Sequence, residues 1–146
     1  SCGLKLNPQL FAAWPEQHFV MAPPADSRER EALRALPNLT LLPDGVRPLD
    51  VFPFCRRHLG KPGFSTFCEA LSFSVGLHVV ERRDFAEAKA LMRGLARHGS
   101  SRLLSRDQLL TGDWQLDQPL VPPTQAAAAA HGAEQAARAL IAYADR

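Results

Sequence analysis

Long apolar runs are missing from this chain of 146 residues, and no stretch is long enough to span a lipid bilayer. The N-terminus also lacks the charged and then apolar pattern of a signal peptide. Neither sign of charge dominates, since the net charge is +2, and no basic run is interleaved with aromatic residues. We therefore expect no transmembrane segment and no nucleic-acid partner.

Residues that build metal, catalytic or stacking sites are few and scattered. Cys2, Cys55 and Cys68 are an odd set without metal-ligand spacing, which favours reduced thiols in a cytoplasmic protein. The five histidines include no pair at metal-ligand spacing, so we expect no metal site. No Gly-x-Ser-x-Gly sequence marks a hydrolase nucleophile, and the two tryptophans and one tyrosine are too few for a stacking surface.

What is present fits one soluble α/β domain over residues 1–146, with 46% hydrophobic and 22% charged residues. Short apolar strands alternate with helical segments, which predicts a Rossmann-like parallel sheet with helices on both faces. The predicted strands are His18–Ala22, Leu39–Leu42, His58–Gly60, Leu77–Val80 and Ser101–Leu104. The predicted helices are Pro8–Trp14, Ser27–Leu36 with Ser27 as its capping residue, Asp50–Cys55, one from Ser65 or Thr66, one from Phe85 ended by Gly99, and one around Leu109–Leu110. An alanine-rich helix over residues 124–145, interrupted at Gly132, is also predicted.

A glycine turn flanked by hydroxyls is the most informative segment of the chain. Gly63 can take backbone angles that other residues avoid, so a strand can turn there into a helix that begins near Ser65 or Thr66. The free amides of the helix start, both hydroxyls and the Lys61 ammonium suit a phosphate or diphosphate. Glu69, one turn further, can accept hydrogen bonds from ribose hydroxyls.

A purely structural interpretation of the same residues stays open. Ser65 or Thr66 can simply cap the helix, with assistance from Glu69 and a solvated Lys61.

The run from Lys61 to about Leu104 resembles the donor-binding segment of the GT-B glycosyltransferases, whose C-terminal domain carries a pattern close to H-x-G-x-x-(S/T)-x-x-E-x-x-x-x-G-x-P. Gly63, Thr66 and Glu69 fall on its glycine, its phosphate-binding hydroxyl and its ribose-binding carboxylate, and Lys61 takes the place of the histidine. The resemblance implies one half of a GT-B fold that binds a nucleotide diphosphate sugar, usually linked to uridine diphosphate. It also implies that loops near residues 46–52 recognise the base.

The match loosens beyond Glu69. Ser74 stands where the pattern has glycine, Gly76 where it has proline, and Glu81 where a second proline often lies. The loop shape that follows the helix is therefore an open question.

The family also places an acidic residue after the next strand, where it holds hydroxyls of the donor sugar. This chain offers Asp84 and Glu87, of which Asp84 is the better candidate. Their spacing is also that of a helix capping box, a competing structural explanation. Arg82 and Arg83 can contact a diphosphate or form a solvated edge.

The resemblance sets expectations for the whole protein. We expect the first strand of the domain and an N-terminal acceptor-binding domain to lie outside this chain, which alone should be inactive in transfer. The nucleotide sugar is a substrate, and no further cofactor is expected. An alternative is a non-catalytic module that binds a sugar nucleotide or a partner, possibly in a larger protein such as a sugar-kinase fusion. No catalytic residue is assigned.

Overall fold

Strands and helices alternate along the chain in the computed structural model, which describes residues 7–82, 85–126 and 131–144. The strands are β1 Phe19–Met21, β2 Leu39–Leu41, β3 Arg57–Gly60, β4 Gly76–Val80 and β5 Ser101–Leu104. The helices are α1 Gln9–Ala12, α2 Ser27–Arg34, α3 Pro48–Val51, α4 Phe64–Ser72, α5 Ala88–His98, α6 Arg106–Thr111 and α7 Gly132–Ala144, with a 3₁₀ turn at Phe52–Phe54. All five predicted strands are confirmed, and their ends differ from the prediction by at most one residue.

The strands form two parallel sheets. One sheet pairs β1 with β2, and the other has the order β3-β4-β5. Strand β4 is central and every one of its residues is buried, as expected for a parallel strand covered on both faces. The α/β class with parallel strands and flanking helices is confirmed. The sequence pattern predicted a single sheet, whereas among the described residues no strand pairing joins the two sheets.

Two apolar clusters hold the domain together. The first cluster surrounds Trp114, which is fully buried, donates its indole N–H to the Leu109 carbonyl at 3.0 Å and lies edge-on to Phe11 and Phe19. Because side chains of β2, β4 and β5 also contribute to it, this cluster links the two sheets. The second cluster packs α4 and α5 against β4 and includes Phe52 and Phe67.

Several helix ends differ from the prediction. Asp26, rather than Ser27, caps α2, because its carboxylate accepts hydrogen bonds from the amides of Arg28 and Glu29. Of the predicted helix over residues 124–145, Gly132–Ala144 is helical and residues 124–126 are not, because the amides of Thr124 and Gln125 bond to carbonyls near the end of α5. Residues 127–130 and 145 lie outside the described residues. No helix in the described ranges has the length and apolarity needed to cross a membrane.

Candidate functional site

The loop that follows β3 and the helix α4 after it carry most of the residues that the sequence singled out. Helix α4 begins at Phe64, and the first amide bonded back to the loop is that of Phe67, which donates to the Gly63 carbonyl at 2.9 Å. Among the described residues, the amides of Phe64, Ser65 and Thr66 have no hydrogen-bond partner. Three free N–H groups therefore face outward at the positive end of the α4 dipole.

The side chains around this helix start are accessible. Lys61 and Ser65 are exposed, whereas Thr66 and Glu69 are half-buried. No hydrogen bond to another described residue uses either hydroxyl. Neither Ser65 nor Thr66 caps the helix, because both lie inside its first turn and Gly63 is the capping residue. Both hydroxyls are thus available to a ligand.

Gly63 does not have the conformation that the sequence predicted. Its φ of −154° and ψ of 132° are extended values that any residue adopts, and a Cβ there would lie 3.8 Å from the Thr66 hydroxyl. The expectation of a backbone angle special to glycine was wrong. Close approach instead requires glycine at position 60, where a Cβ would lie 2.5 Å from Nε2 of His58.

Ser74 has the left-handed backbone conformation, with φ of 56°. It follows α4 in a Schellman motif, in which its amide bonds to the Leu71 carbonyl at 3.1 Å and that of Val75 bonds to the Ala70 carbonyl at 2.8 Å. Glycine is the usual residue at this position of the motif, and the donor-binding pattern has glycine there. The backbone thus keeps a glycine-type turn although the side chain is serine.

Gly76, where the pattern has proline, has a different role in this fold. Its amide donates to the Arg56 carbonyl at 3.0 Å, a bond that proline cannot make. A Cβ at this position would also collide with the side chain of Leu120. The departure from proline therefore has a local physical cause.

Glu69 lies within electrostatic reach of Arg47, which precedes α3. The Arg47 guanidinium donates a hydrogen bond to the Asp50 carboxylate at 2.8 Å. This hydrogen bond and the charge of Asp50 raise the pKa of Arg47, and the Glu69 carboxylate raises that pKa further. The segment of residues 46–52 thus approaches the middle of α4, and Phe52 packs beside Phe67. Arg47 could not be found from the sequence, because its relation to Glu69 depends on the tertiary fold.

The acidic candidates after β4 are only partly described. Asp84 and Arg83 lie outside the described residues. Glu87 is exposed, precedes α5 and makes no capping hydrogen bond with its side chain. Glu87 and Phe64, the first residue of α4, line the same open groove between α4 and α5. The guanidinium of Arg82 lies 4.9 Å from the centre of the Phe85 ring.

His78 is a core histidine on the buried strand β4. It is fully buried in β4, and its Nε2 lies 3.0 Å from Nη1 of Arg57. Burial lowers its pKa to about 4, and the charges of Arg57 and Arg102 contribute, so the ring is neutral at pH 7. Within the described ranges, no three His, Cys, Asp or Glu side chains lie close enough to hold a metal ion.

The site therefore combines free amides, free hydroxyls and a lysine at one helix start with a carboxylate one turn away. Such an arrangement can bind an anionic group and a neighbouring pair of hydroxyls. No protein-family model, curated protein or solved structure matches this chain.

Proposed function

We propose that this chain is the nucleotide-sugar-binding domain of a GT-B-type glycosyltransferase, which takes a sugar from a nucleotide diphosphate, usually uridine diphosphate. The observation that carries the proposal is the start of α4, where three unpaired amides follow the short loop that leaves a parallel strand and Glu69 lies one turn further along. Ligands of parallel α/β domains bind at this end of the strands.

The diphosphate is the part of the ligand that the helix start suits. The amides of Phe64, Ser65 and Thr66 donate to phosphate oxygens, and the two hydroxyls and Lys61 add further donors. During transfer, negative charge develops on the departing nucleotide diphosphate. Fixed donors at this position stabilise that charge without reorganising.

In this proposal, Glu69 binds the ribose of the nucleotide. No hydrogen bond from another described residue occupies its carboxylate, so both oxygens can accept from a pair of ribose hydroxyls. Arg47, held by Asp50, keeps a positive charge nearby. In this proposal the base lies toward residues 46–52, and Asp84 and Glu87 are assigned to hydroxyls of the sugar.

The left-handed turn at Ser74 adds support from a second position. The donor-binding pattern has glycine there, and left-handed backbone is the property that favours glycine over other residues. In our proposal the acceptor site and the catalytic base come from an N-terminal domain, so this chain alone binds the donor without transferring sugar.

A second candidate is a non-catalytic module that binds a sugar nucleotide. Gly76, which stands where the donor-binding pattern has proline, favours this candidate. Its amide donates a hydrogen bond to the Arg56 carbonyl beside β3, and the side chain of Leu120 fills the space next to it. The two candidates differ in activity: a longer protein with an acceptor domain that binds donor, yet neither transfers nor hydrolyses it, would support the module.

Thermal unfolding in the presence of uridine, uridine monophosphate and uridine diphosphate tests the proposal. We expect the diphosphate to raise the Tm most, because ligand bound only to the folded state stabilises it. Alanine at Thr66 should reduce the shift, whereas Thr111→Ala, a control hydroxyl on α6, should not. Equal shifts with all three ligands would contradict a diphosphate site.

A further inference from the structure

An open groove runs between α4 and α5. It has a volume of about 410 Å³ and is lined by an apolar stripe of α4, with Phe64, Cys68 and Leu71, and by a stripe of α5, with Ala90, Leu91 and Gly94. The α5 residues recur at the three- and four-residue spacing of one helix face. The two neighbouring helices thus form an apolar groove into which a third helix can pack.

Helix α7 has the complementary property. Every residue from Gly132 to Ala144 is exposed, and Leu140, Ile141 and Tyr143 are 69%, 62% and 77% exposed. Ala133, Ala137, Leu140 and Ile141 share one face by helical spacing. An amphipathic helix gains most of its stability by packing that face, which α7 leaves bare in a single copy.

The chain delivers α7 to one end of the groove. Thr124 and Gln125 donate their amides to the carbonyls of Ala96 and Arg97 at the end of α5, and α7 begins at Gly132. The intervening residues 126–131 can span at most about 20 Å. Helix α7 is about 20 Å long, enough to cover α5 along its whole length of about 17 Å.

Charge favours an antiparallel arrangement of α7 on α5. The last turn of α5 is basic, with Arg97 and His98, and the first turn of α7 carries Glu134. When the two helices run in opposite directions, Glu134 lies beside that basic turn.

We propose that the groove binds α7 of a second copy of this chain, so that two copies exchange their C-terminal helices. Since α7 is fully exposed while its own groove is open, the helix is positioned for exchange. The exchange is reciprocal and closes as a two-fold dimer, which needs no additional partner. This assembly goes beyond nucleotide binding and does not depend on it.

Gly94 offers a direct way to block the groove. A Cβ at this position would meet no atom within 4 Å, so Gly94→Leu should fit the isolated chain and also favour the helix. On α7, Leu140→Asp with Ile141→Asp places charge on the docking face. Ala142→Asp places one such charge on the opposite face and is the control.

Sedimentation equilibrium of the full chain over a wide concentration range tests the proposal. We expect the unaltered chain and Ala142→Asp to dimerise, and both the Gly94→Leu chain and the Leu140→Asp/Ile141→Asp chain to be monomers at tenfold higher concentration. A monomer at all concentrations, or a dimer that Gly94→Leu leaves unchanged, would overturn the exchange.

Mixing the two monomeric variants separates exchange from docking within one chain. The Gly94→Leu chain retains an intact α7, and the Leu140→Asp/Ile141→Asp chain retains an intact groove, so together they should form a heterodimer with one exchanged helix. If each α7 occupies its own groove, the mixture stays monomeric and the proposal fails. Circular dichroism of each variant confirms that both chains remain folded.

Discussion

Arg57 donates a hydrogen bond of 3.0 Å to Nε2 of His78, and the same guanidinium group donates to the Gln118 carbonyl at 3.0 Å. The pair ties the edge strand β3 to the central strand β4 and to the segment that follows Trp114. Because Nε2 is the acceptor, the neutral ring carries its proton on Nδ1. The bond is lost when His78 takes up a second proton.

Stability should therefore fall as the pH decreases from about 6.5 to about 4. Burial lowers the pKa of His78 to about 4 and also lowers that of His58, so the unfolded chain binds protons that the folded chain does not. The stabilisation is complete above the unfolded pKa near 6.5 and is lost toward pH 4. Each histidine contributes a slope of at most about 1.4 kcal/mol per pH unit.

Urea unfolding between pH 7.5 and pH 4.5 measures that slope. We expect His78→Gln, which retains an acceptor for Arg57, to be less stable at pH 7.5 and to show a flatter dependence. His131→Gln, at an exposed histidine next to α7, is the control substitution. An unchanged slope in His78→Gln would show that His78 does not carry the effect.

Ser74→Gly should stabilise the protein. Left-handed backbone costs a serine roughly 1 kcal/mol that glycine avoids, and part of this gain is offset by the greater freedom of glycine in the unfolded chain. We expect a net gain of about 0.5 kcal/mol in the free energy of unfolding. Ser72→Gly, two residues earlier and inside α4, should instead lose up to about 1 kcal/mol.

The glycines at positions 60 and 63 should respond differently to alanine. Gly60→Ala forces the His58 ring away from its edge-on contact with Phe52, whose centroid is 5.4 Å from that of the ring, and we expect a loss of about 1–3 kcal/mol. Gly63→Ala meets only an ordinary contact and should lose about 0.5 kcal/mol, as a weaker helix cap. Equal losses in urea unfolding would contradict this difference.

The sequence predicted strand β4 most clearly, because it is a short run that is buried throughout. Leu77 and Val79 of β4 are fully or almost fully buried, and such a run between turn residues has few alternatives. The predicted helix start near Ser65 was also close, since α4 begins at Phe64. The cap of α2 was misassigned by one residue, because Asp26 and Ser27 are both good capping residues and only the backbone decides between them.

Contacts between distant parts of the chain could not be predicted from the sequence. The approach of Arg47 to Glu69 depends on how α3 packs near α4, and periodicity does not encode that packing. The extended backbone of Gly63 and the left-handed backbone of Ser74 were likewise hidden, since residue type alone does not fix φ. The open groove appears only once α4 and α5 lie side by side.

Isothermal titration of the chain with uridine, thymidine, guanosine and adenosine diphosphates, alongside Glu69→Ala, tests the nucleotide site most directly. The control variant is Glu31→Ala, an exposed carboxylate on α2, which packs against β2. We predict saturable binding of one diphosphate, about tenfold weaker in Glu69→Ala and unchanged in Glu31→Ala, as expected for a lost hydrogen bond to a charged group. No binding at millimolar ligand, or equal binding by the Glu69→Ala chain, would contradict the proposed site.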